Sequence, residues 1–150
     1  MQSMVLFNQT LKTQTETTAD DSDKSFTVPT GKRWIVNSIY VELTSTATVG
    51  NRQLEITVNS AASADVLSIA ARAGAVQAAS LTRYYTFATG VADLTSFRDT
   101  DFLTTPLGAP LEMDAGEVLR VRDKGPTGTG IDAAADDMIV HVRYYEQQDI

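Results

Sequence analysis

Hydrophobic and polar residues alternate along much of the chain, which is typical of β-strands that bury one face. The clearest stretch is Asn51 to Asn59, where Leu54, Ile56 and Val58 alternate with polar residues and predict one dry and one wet face. The run Arg33 to Ser45 is longer and is dominated by β-branched and aromatic residues. We expect these two runs to pair as a hairpin across the short turn between them.

Shorter runs of the same kind predict the remaining strands, at 25–28, 81–87, 110–113, 118–122 and 138–146. In the last strand the inward residues are expected to be Met138, Val140, Val142 and Tyr144. Residues 65–80 are ambiguous between a short helix and a hairpin that turns near Gly74, and the β-rich surroundings favour the hairpin. Residues 90–107 and 123–137 are predicted to be long loops.

About eight short strands with at most one helix indicate an all-β fold, an antiparallel β-sandwich that is jelly-roll-like and has long loops. The chain has 150 residues, the length of one ordinary domain. We divide it into an N-terminal arm or edge strand, residues 1–23, and a single β-sandwich domain, residues 24–150. The predicted core consists of Ile39, Val41, Leu54, Ile56, Val58, Leu119, Val121, Val140 and Val142.

Charge narrows the candidate functions. The chain has 12 basic and 19 acidic residues, which gives a formal net charge of -7 at pH 7. Because an acidic surface repels phosphate backbones and anionic lipids, we expect no nucleic-acid partner and no membrane partner. The N-terminal pattern does not predict a signal peptide, and the apolar runs are shorter than a transmembrane helix requires.

Few residues are suited to catalysis or metal binding, since the chain has no cysteine and one histidine, His141. Two acidic sets remain candidates for a Ca²⁺ site or for acid–base chemistry: Asp93, Asp99 and Asp101, and Asp132, Asp136 and Asp137. Neither set has the spacing of a calcium loop, and the one tryptophan, Trp34, lies in a run that indicates core. We interpret the acids as solvated loop residues and His141 as a surface or interface residue. We therefore expect no enzyme activity, no cofactor and no metal.

Two groups of residues are candidates for a partner interface. The first is an apolar tetrapeptide ahead of the main β pattern, Met4, Val5, Leu6 and Phe7, which needs a partner to cover it if it is exposed. The second combines residue types enriched at protein interfaces, Arg83, Tyr84 and Tyr85. We expect a homo-oligomer, with a trimer favoured, that attaches to a larger assembly through the arm. The open alternative is that the tetrapeptide completes the protein's own sandwich as an edge strand.

Several segments resemble small virion proteins of tailed bacteriophages. They are residues 26–36, FTVPTGKRWIV; 46–52, TATVGNR; 79–85, ASLTRYY; and 135–140, ADDMIV. In that family a strand that ends in Val-Pro-x-Gly-Lys leads into a long strand, and a threonine-rich turn with Gly-Asn-Arg follows. The resemblance covers roughly residues 24–146.

The resemblance implies a β-sandwich that coats or cements a capsid, or joins the tail or its fibres, and that works through interfaces without an active site. We therefore expect a non-enzymatic virion structural protein, assembled in the host cytoplasm. The first interpretation of the chain is a capsid cement or decoration protein that binds the major capsid protein or other virion proteins. The alternative is a tail- or fibre-associated β-sandwich that binds a receptor or a carbohydrate. That alternative predicts an exposed aromatic cluster or a calcium site.

Overall fold

The computed structural model describes residues 9–18, 20, 23–61, 66–92, 100–123 and 136–148, and every regular element within them is a strand. The ten strands are β1 (Thr10–Glu16), β2 (Lys24–Thr27), β3 (Lys32–Thr44), β4 (Glu55–Asn59), β5 (Val66–Arg72), β6 (Thr82–Thr89), β7 (Phe102–Leu107), β8 (Leu111–Met113), β9 (Val118–Arg122) and β10 (Asp137–Gln148). Residues 1–8, and with them Met4 to Phe7, lie outside the described part of the chain.

The strands form two sheets with the connectivity of a jelly roll. The large sheet has the order β1-β10-β3-β6-β7, with β8 also paired to β3, and the small sheet has the order β2-β9-β4-β5. Four antiparallel pairs therefore nest along the chain, β1 with β10, β2 with β9, β3 with β6 and β4 with β5. This nesting is a long hairpin rolled over two sheets, which is the jelly-roll arrangement. The predicted all-β antiparallel sandwich is confirmed.

The core lies between the two sheets and contains the residues that the alternation predicts. All nine predicted core residues are buried, with Val58 the most exposed at 6%. The four inward residues expected on β10 are buried as well. Trp34 joins this core, where its ring stacks on that of Tyr144 at a centroid distance of 4.1 Å.

The hairpin expected between the two clearest runs is wrong, because they lie in different sheets. β3 pairs with β10, β6 and β8, whereas β4 pairs with β5 and β9. The wet face expected for β4 is also wrong, since Glu55, Thr57 and Asn59 are fully buried. Alternation identifies a strand, but it specifies neither the strand's neighbours nor what covers its polar face.

Two other sequence expectations are corrected. β5 is a strand and not a helix, but the chain after it crosses to the large sheet, so no hairpin turns at Gly74. The crossing is fixed where Arg52 and Gln77 exchange two backbone hydrogen bonds of 2.9 and 2.8 Å. The loop predicted at 90–107 contains β7, an edge strand parallel to β6. Pro106 obscures β7 in the sequence, and an edge strand is where a sheet tolerates proline.

Candidate docking surface

The outer face of the large sheet exposes a cluster of aromatic rings, which we call the aromatic face. It consists of Tyr40 on β3, Tyr84 on β6 and Phe102 on β7, and these side chains are 42%, 40% and 49% exposed. The three strands are adjacent in the sheet, and Tyr84 pairs directly with Phe102 in the ladder. Period-two alternation places all three rings on the face opposite the core.

The rings border a shallow groove. Tyr84 and Phe102 stack on each other with a centroid distance of 4.8 Å and an interplanar angle of 15°. Tyr40 pairs with Thr86 in the ladder and so lies diagonally across from Tyr84. The groove between them has a volume of about 270 Å³. It is below the usual range of roughly 300–1,000 Å³ for small-molecule pockets, so it suits one or two side chains or one ring.

Polar groups stand at the rim of this groove. Glu42, Thr86 and His141 line it together with the three rings. His141 is exposed, as expected for a surface residue, and its Nδ1 lies 2.8 Å from the Thr15 hydroxyl on β1. The groove therefore offers aromatic surface for an apolar or ring-shaped group, with a carboxylate and a hydroxyl at its edge.

Of the three β6 residues predicted to form an interface, only Tyr84 lies on the aromatic face. Tyr85 points into the core, where it is 2% exposed and its hydroxyl donates to the Gln77 Oε1 at 3.0 Å. Burial raises the pKa of Tyr85 to about 12. Arg83 is half-buried and donates from Nη1 to the Val76 carbonyl at 2.8 Å. Because successive side chains of a strand point to opposite faces, the three residues cannot form one surface.

The acidic sets do not come together as a metal site in the part of the chain that the structure describes. Asp93, Asp99 and Asp132 lie outside the described residues, and the remaining His, Asp and Glu residues form no group of three or more with the geometry to hold a metal ion. Asp137 is exposed at the start of β10. Asp136 is 1% exposed, so its interpretation as a solvated loop acid is wrong.

Asp136 forms a buried ion pair with Arg52 that fastens the two sheets. The Arg52 Nε donates to one carboxylate oxygen at 2.6 Å, and Nη2 donates to the other at 3.0 Å. The remaining guanidinium hydrogens reach the Thr48 and Gly50 carbonyls and the Thr46 hydroxyl. All five donors of a fully buried guanidinium are thus used.

Thr46 completes this network from the start of the crossing between β3 and β4. Its backbone amide and its hydroxyl donate to Asp136 Oδ1 at 2.7 and 2.9 Å. Burial alone would raise the pKa of Asp136, but the hydrogen bonds from Arg52 and Thr46 outweigh it and lower the pKa. A buried pair of this kind defines where the chain crosses between sheets, and it contributes no reactive group to the surface.

Two residues of the aromatic face, Tyr40 and Phe102, are absent from the sequence-based candidates. Tyr40 could have been found, because β3 alternates and its neighbours Ile39 and Val41 were both assigned to the core. Phe102 could not have been found, because the sequence of residues 90–107 predicts a loop there. The rings also come from three strands far apart in sequence, so only the sheet order brings them together.

Comparisons with known proteins leave the family open. No family model matches the chain, and no curated protein matches it. Among solved structures, a similarity is found to a chain in the structure of infectious bursal disease virus Gx strain, with 11% sequence identity and a TM-score of 0.17. That similarity covers 93% of this chain and 41% of the viral chain. In the described residues, no helix is long and apolar enough to cross a membrane.

Proposed function

We propose that the chain is a non-enzymatic structural protein of a bacteriophage virion, in the first place a capsid cement or decoration protein, and that it docks on a neighbouring virion protein through the aromatic face. The observation that carries this proposal is the exposure of three large rings, each 40–49% open, on three adjacent strands. Single exposed apolar residues are ordinary, but a contiguous group on an acidic protein marks an interaction surface. Tyrosine and phenylalanine are enriched in the centres of protein interfaces.

Two further observations support the choice of a virion partner. The resemblance to tailed-phage virion proteins includes residues 79–85, which contribute Tyr84 to the aromatic face. Residues 46–52 and 135–140, which also carry the resemblance, supply Thr46, Arg52 and Asp136 to the buried network. Jelly rolls occur in viral capsid and lectin domains, an analogy of fold that agrees with the proposal but does not carry it.

A second candidate function is glycan binding at the same surface. The exposed aromatic cluster is the feature that this alternative requires. Aromatic rings stack on the apolar faces of sugar rings, and the Glu42 carboxylate and Thr86 hydroxyl lie where they can bond sugar hydroxyls. Because the groove accepts at most one ring, a single terminal sugar would be the bound unit.

The experiment that tests the proposed function measures the chain in purified virions of the phage that encodes it. Wild-type chain should be present at a fixed copy number, and Tyr84→Ala should reduce that number at least tenfold. Leu67→Ala is the matched control, since Leu67 is 55% exposed on the small sheet and should leave incorporation unchanged. Absence of the wild-type chain from virions would contradict the proposal. Binding of wild-type chain to a glycan array, lost in Tyr84→Ala, would then establish the second candidate.

A further inference from the structure

We propose that the groove of the aromatic face receives the apolar segment Met4 to Phe7 of a second copy, so that copies of the chain exchange arms to form an oligomer. This inference rests on the proposed function, because it names the neighbouring protein at that face as another copy of the chain. It joins two surfaces that each need to be covered: the exposed rings of the large sheet and an uncharged apolar tetrapeptide.

Within one copy Phe7 does not reach the groove. Thr10 pairs with Glu146 and Thr15 pairs with His141, so the groove lies five residues, about 17 Å, further along the strand from Thr10. Tyr40 lies two strands in from β1, which adds about 10 Å sideways and makes the distance about 20 Å. Phe7 is three residues from Thr10, and three residues span at most about 11 Å. Tyr84 and Phe102 lie further still.

The base of the arm is fixed at the edge strand of the large sheet. Lys12 Nζ donates to the Glu146 carboxylate at 2.7 Å, and Gln9 Nε2 donates to the Gln147 side-chain oxygen at 3.1 Å. These contacts place the start of β1 at the end of the large sheet that is remote from the aromatic face.

Charge favours the uncharged arm as the contact between copies. Each copy has a formal net charge of -7, so broad face-to-face association brings like charges together. Residues 1–11 contain no charged side chain, and the groove lining contains one carboxylate, that of Glu42. Contact through the arm thus buries apolar surface without pairing acidic surfaces.

The geometry also limits the symmetry of the oligomer. The arm and the groove are different surfaces, so the contact is heterologous, and a heterologous contact closes into a ring when its rotation permits. A three-membered ring is the state expected from the sequence. A groove volume of about 270 Å³ accommodates one or two side chains, which fits Phe7 with one neighbour.

The test begins with the mass of the full chain in solution, measured by light scattering. We expect about three times 16.2 kDa for the wild type. Phe7→Ser, Tyr84→Ala and deletion of residues 1–8 should each give the mass of a single copy of that variant, whereas Leu67→Ser should keep the wild-type mass. The deletion ends before β1 and so leaves the Lys12–Glu146 contact in place. Thermal unfolding of each variant shows that the domain is still folded.

Photo-crosslinking then identifies the contact. A benzophenone side chain in place of Phe7, in a mixture of isotopically light and heavy chains, should give products that join Phe7 of one copy to Tyr40, Tyr84 or Phe102 of another. The same probe at Val49, which is 90% exposed, is the control. A monomeric wild type, or products confined to single copies, would overturn the inference. If the chain is monomeric but still enters virions in a way that depends on Tyr84, the proposed function stands and arm exchange is wrong. If the chain forms arm-exchanged oligomers that are absent from virions, arm exchange stands and the proposed function is wrong.

Discussion

The outer faces of the two sheets differ in a way that their sequences do not suggest. On β4 of the small sheet, the polar residues Glu55, Thr57 and Asn59 are fully buried. On the large sheet, Tyr84 and Phe102 are 40% and 49% exposed. On these strands the polarity of a side chain therefore does not indicate whether it is exposed. The difference lies in what covers each face, protein on β4 and solvent in part on the large sheet.

Hydrogen bonds explain how the small sheet tolerates buried polar groups. Arg72 donates to Glu55 Oε2, and the Thr57 hydroxyl donates to the Asn59 side chain at 2.9 Å. Glu55 Oε1 has no hydrogen-bond partner among the described residues. Buried polar groups are tolerated when they have such partners. On the large sheet the Tyr84 and Phe102 rings stack on each other and remain 40% and 49% exposed. The polar face of β4 therefore supports the fold, and the aromatic face is the surface that we propose for docking.

The largest effect on stability is expected at the buried ion pair. Asp136→Ala leaves the fully buried Arg52 guanidinium without its carboxylate and should lower the free energy of unfolding by about 3–5 kcal/mol. Asp114→Ala is the matched control, since Asp114 pairs with Arg33 at 3.5 Å and its side chain is 72% exposed. That variant should lose less than about 1 kcal/mol. Urea unfolding measures both, and equal losses would contradict a special role for the buried pair.

Core composition could be predicted from the sequence, but the arrangement of sheets could not. The alternation at Leu54, Ile56 and Val58 predicts their burial directly, because a strand that covers a core places every second side chain inward. Arg52, in the crossing from β3 to β4, contacts Asp136, which is 84 residues away in the sequence. The alternation patterns of β3 and β4 do not indicate that contact.

A register irregularity on β3 is a further feature that simple alternation does not predict. On β3, Ser38 pairs with Arg143 and Val36 pairs with Tyr144, so Asn37 is an extra residue in the ladder. One extra residue reverses which side chains face inward, and it turns Trp34 to the core. The aromatic face was only partly predictable for a related reason. Tyr84 was a candidate by residue type, whereas Phe102 depends on a parallel pairing that its segment does not reveal.

The second-largest effect on stability is expected from truncating a buried isoleucine, in comparison with an exposed isoleucine on the neighbouring strand. Ile56 on β4 is fully buried, and Ile56→Ala should lower the free energy of unfolding by about 2–5 kcal/mol through lost burial and a cavity. Ile69 on β5 is 44% exposed, and Ile69→Ala should cost about 1 kcal/mol or less. Chemical unfolding of both variants measures the difference. A larger loss for Ile69 would mean that the small sheet has its buried face on the other side.

Acid should weaken the fold through Asp136. Its pKa is lowered in the folded state, so its contribution to stability is complete above the unfolded-state value of about 3.9 and is lost as pH falls through the folded-state pKa. Unfolding measured from pH 6 to pH 3 should show stability falling below about pH 4. Asp136→Asn should flatten that fall. Some dependence should remain, because Lys12 lowers the pKa of Glu146 by its hydrogen bond.

An acid dependence identical in wild type and Asp136→Asn would contradict this assignment. Glu146→Gln provides the control, since it removes the carboxyl bonded to Lys12 and Trp34 while leaving the Arg52 pair intact. Glu146→Gln should reduce the pH dependence of the free energy of unfolding less than Asp136→Asn does.

The smallest expected stability effects come from two adjacent tyrosines on β6. Tyr85→Phe removes the buried hydroxyl bonded to Gln77 and should cost about 1–3 kcal/mol. Tyr84→Ala removes a ring that is 40% exposed and should cost about 1 kcal/mol or less. Thermal or urea unfolding ranks the two variants. A greater loss of stability for Tyr84→Ala would indicate that the aromatic face supports the fold.

The proposal that the aromatic face is the docking surface is tested by the copy number of these same two variants in purified virions. We expect Tyr84→Ala, folded and nearly as stable as wild type, to be depleted at least tenfold. We expect Tyr85→Phe, the less stable of the two, to be incorporated at the wild-type level. The opposite ranking, or equal incorporation of both, would contradict the claim.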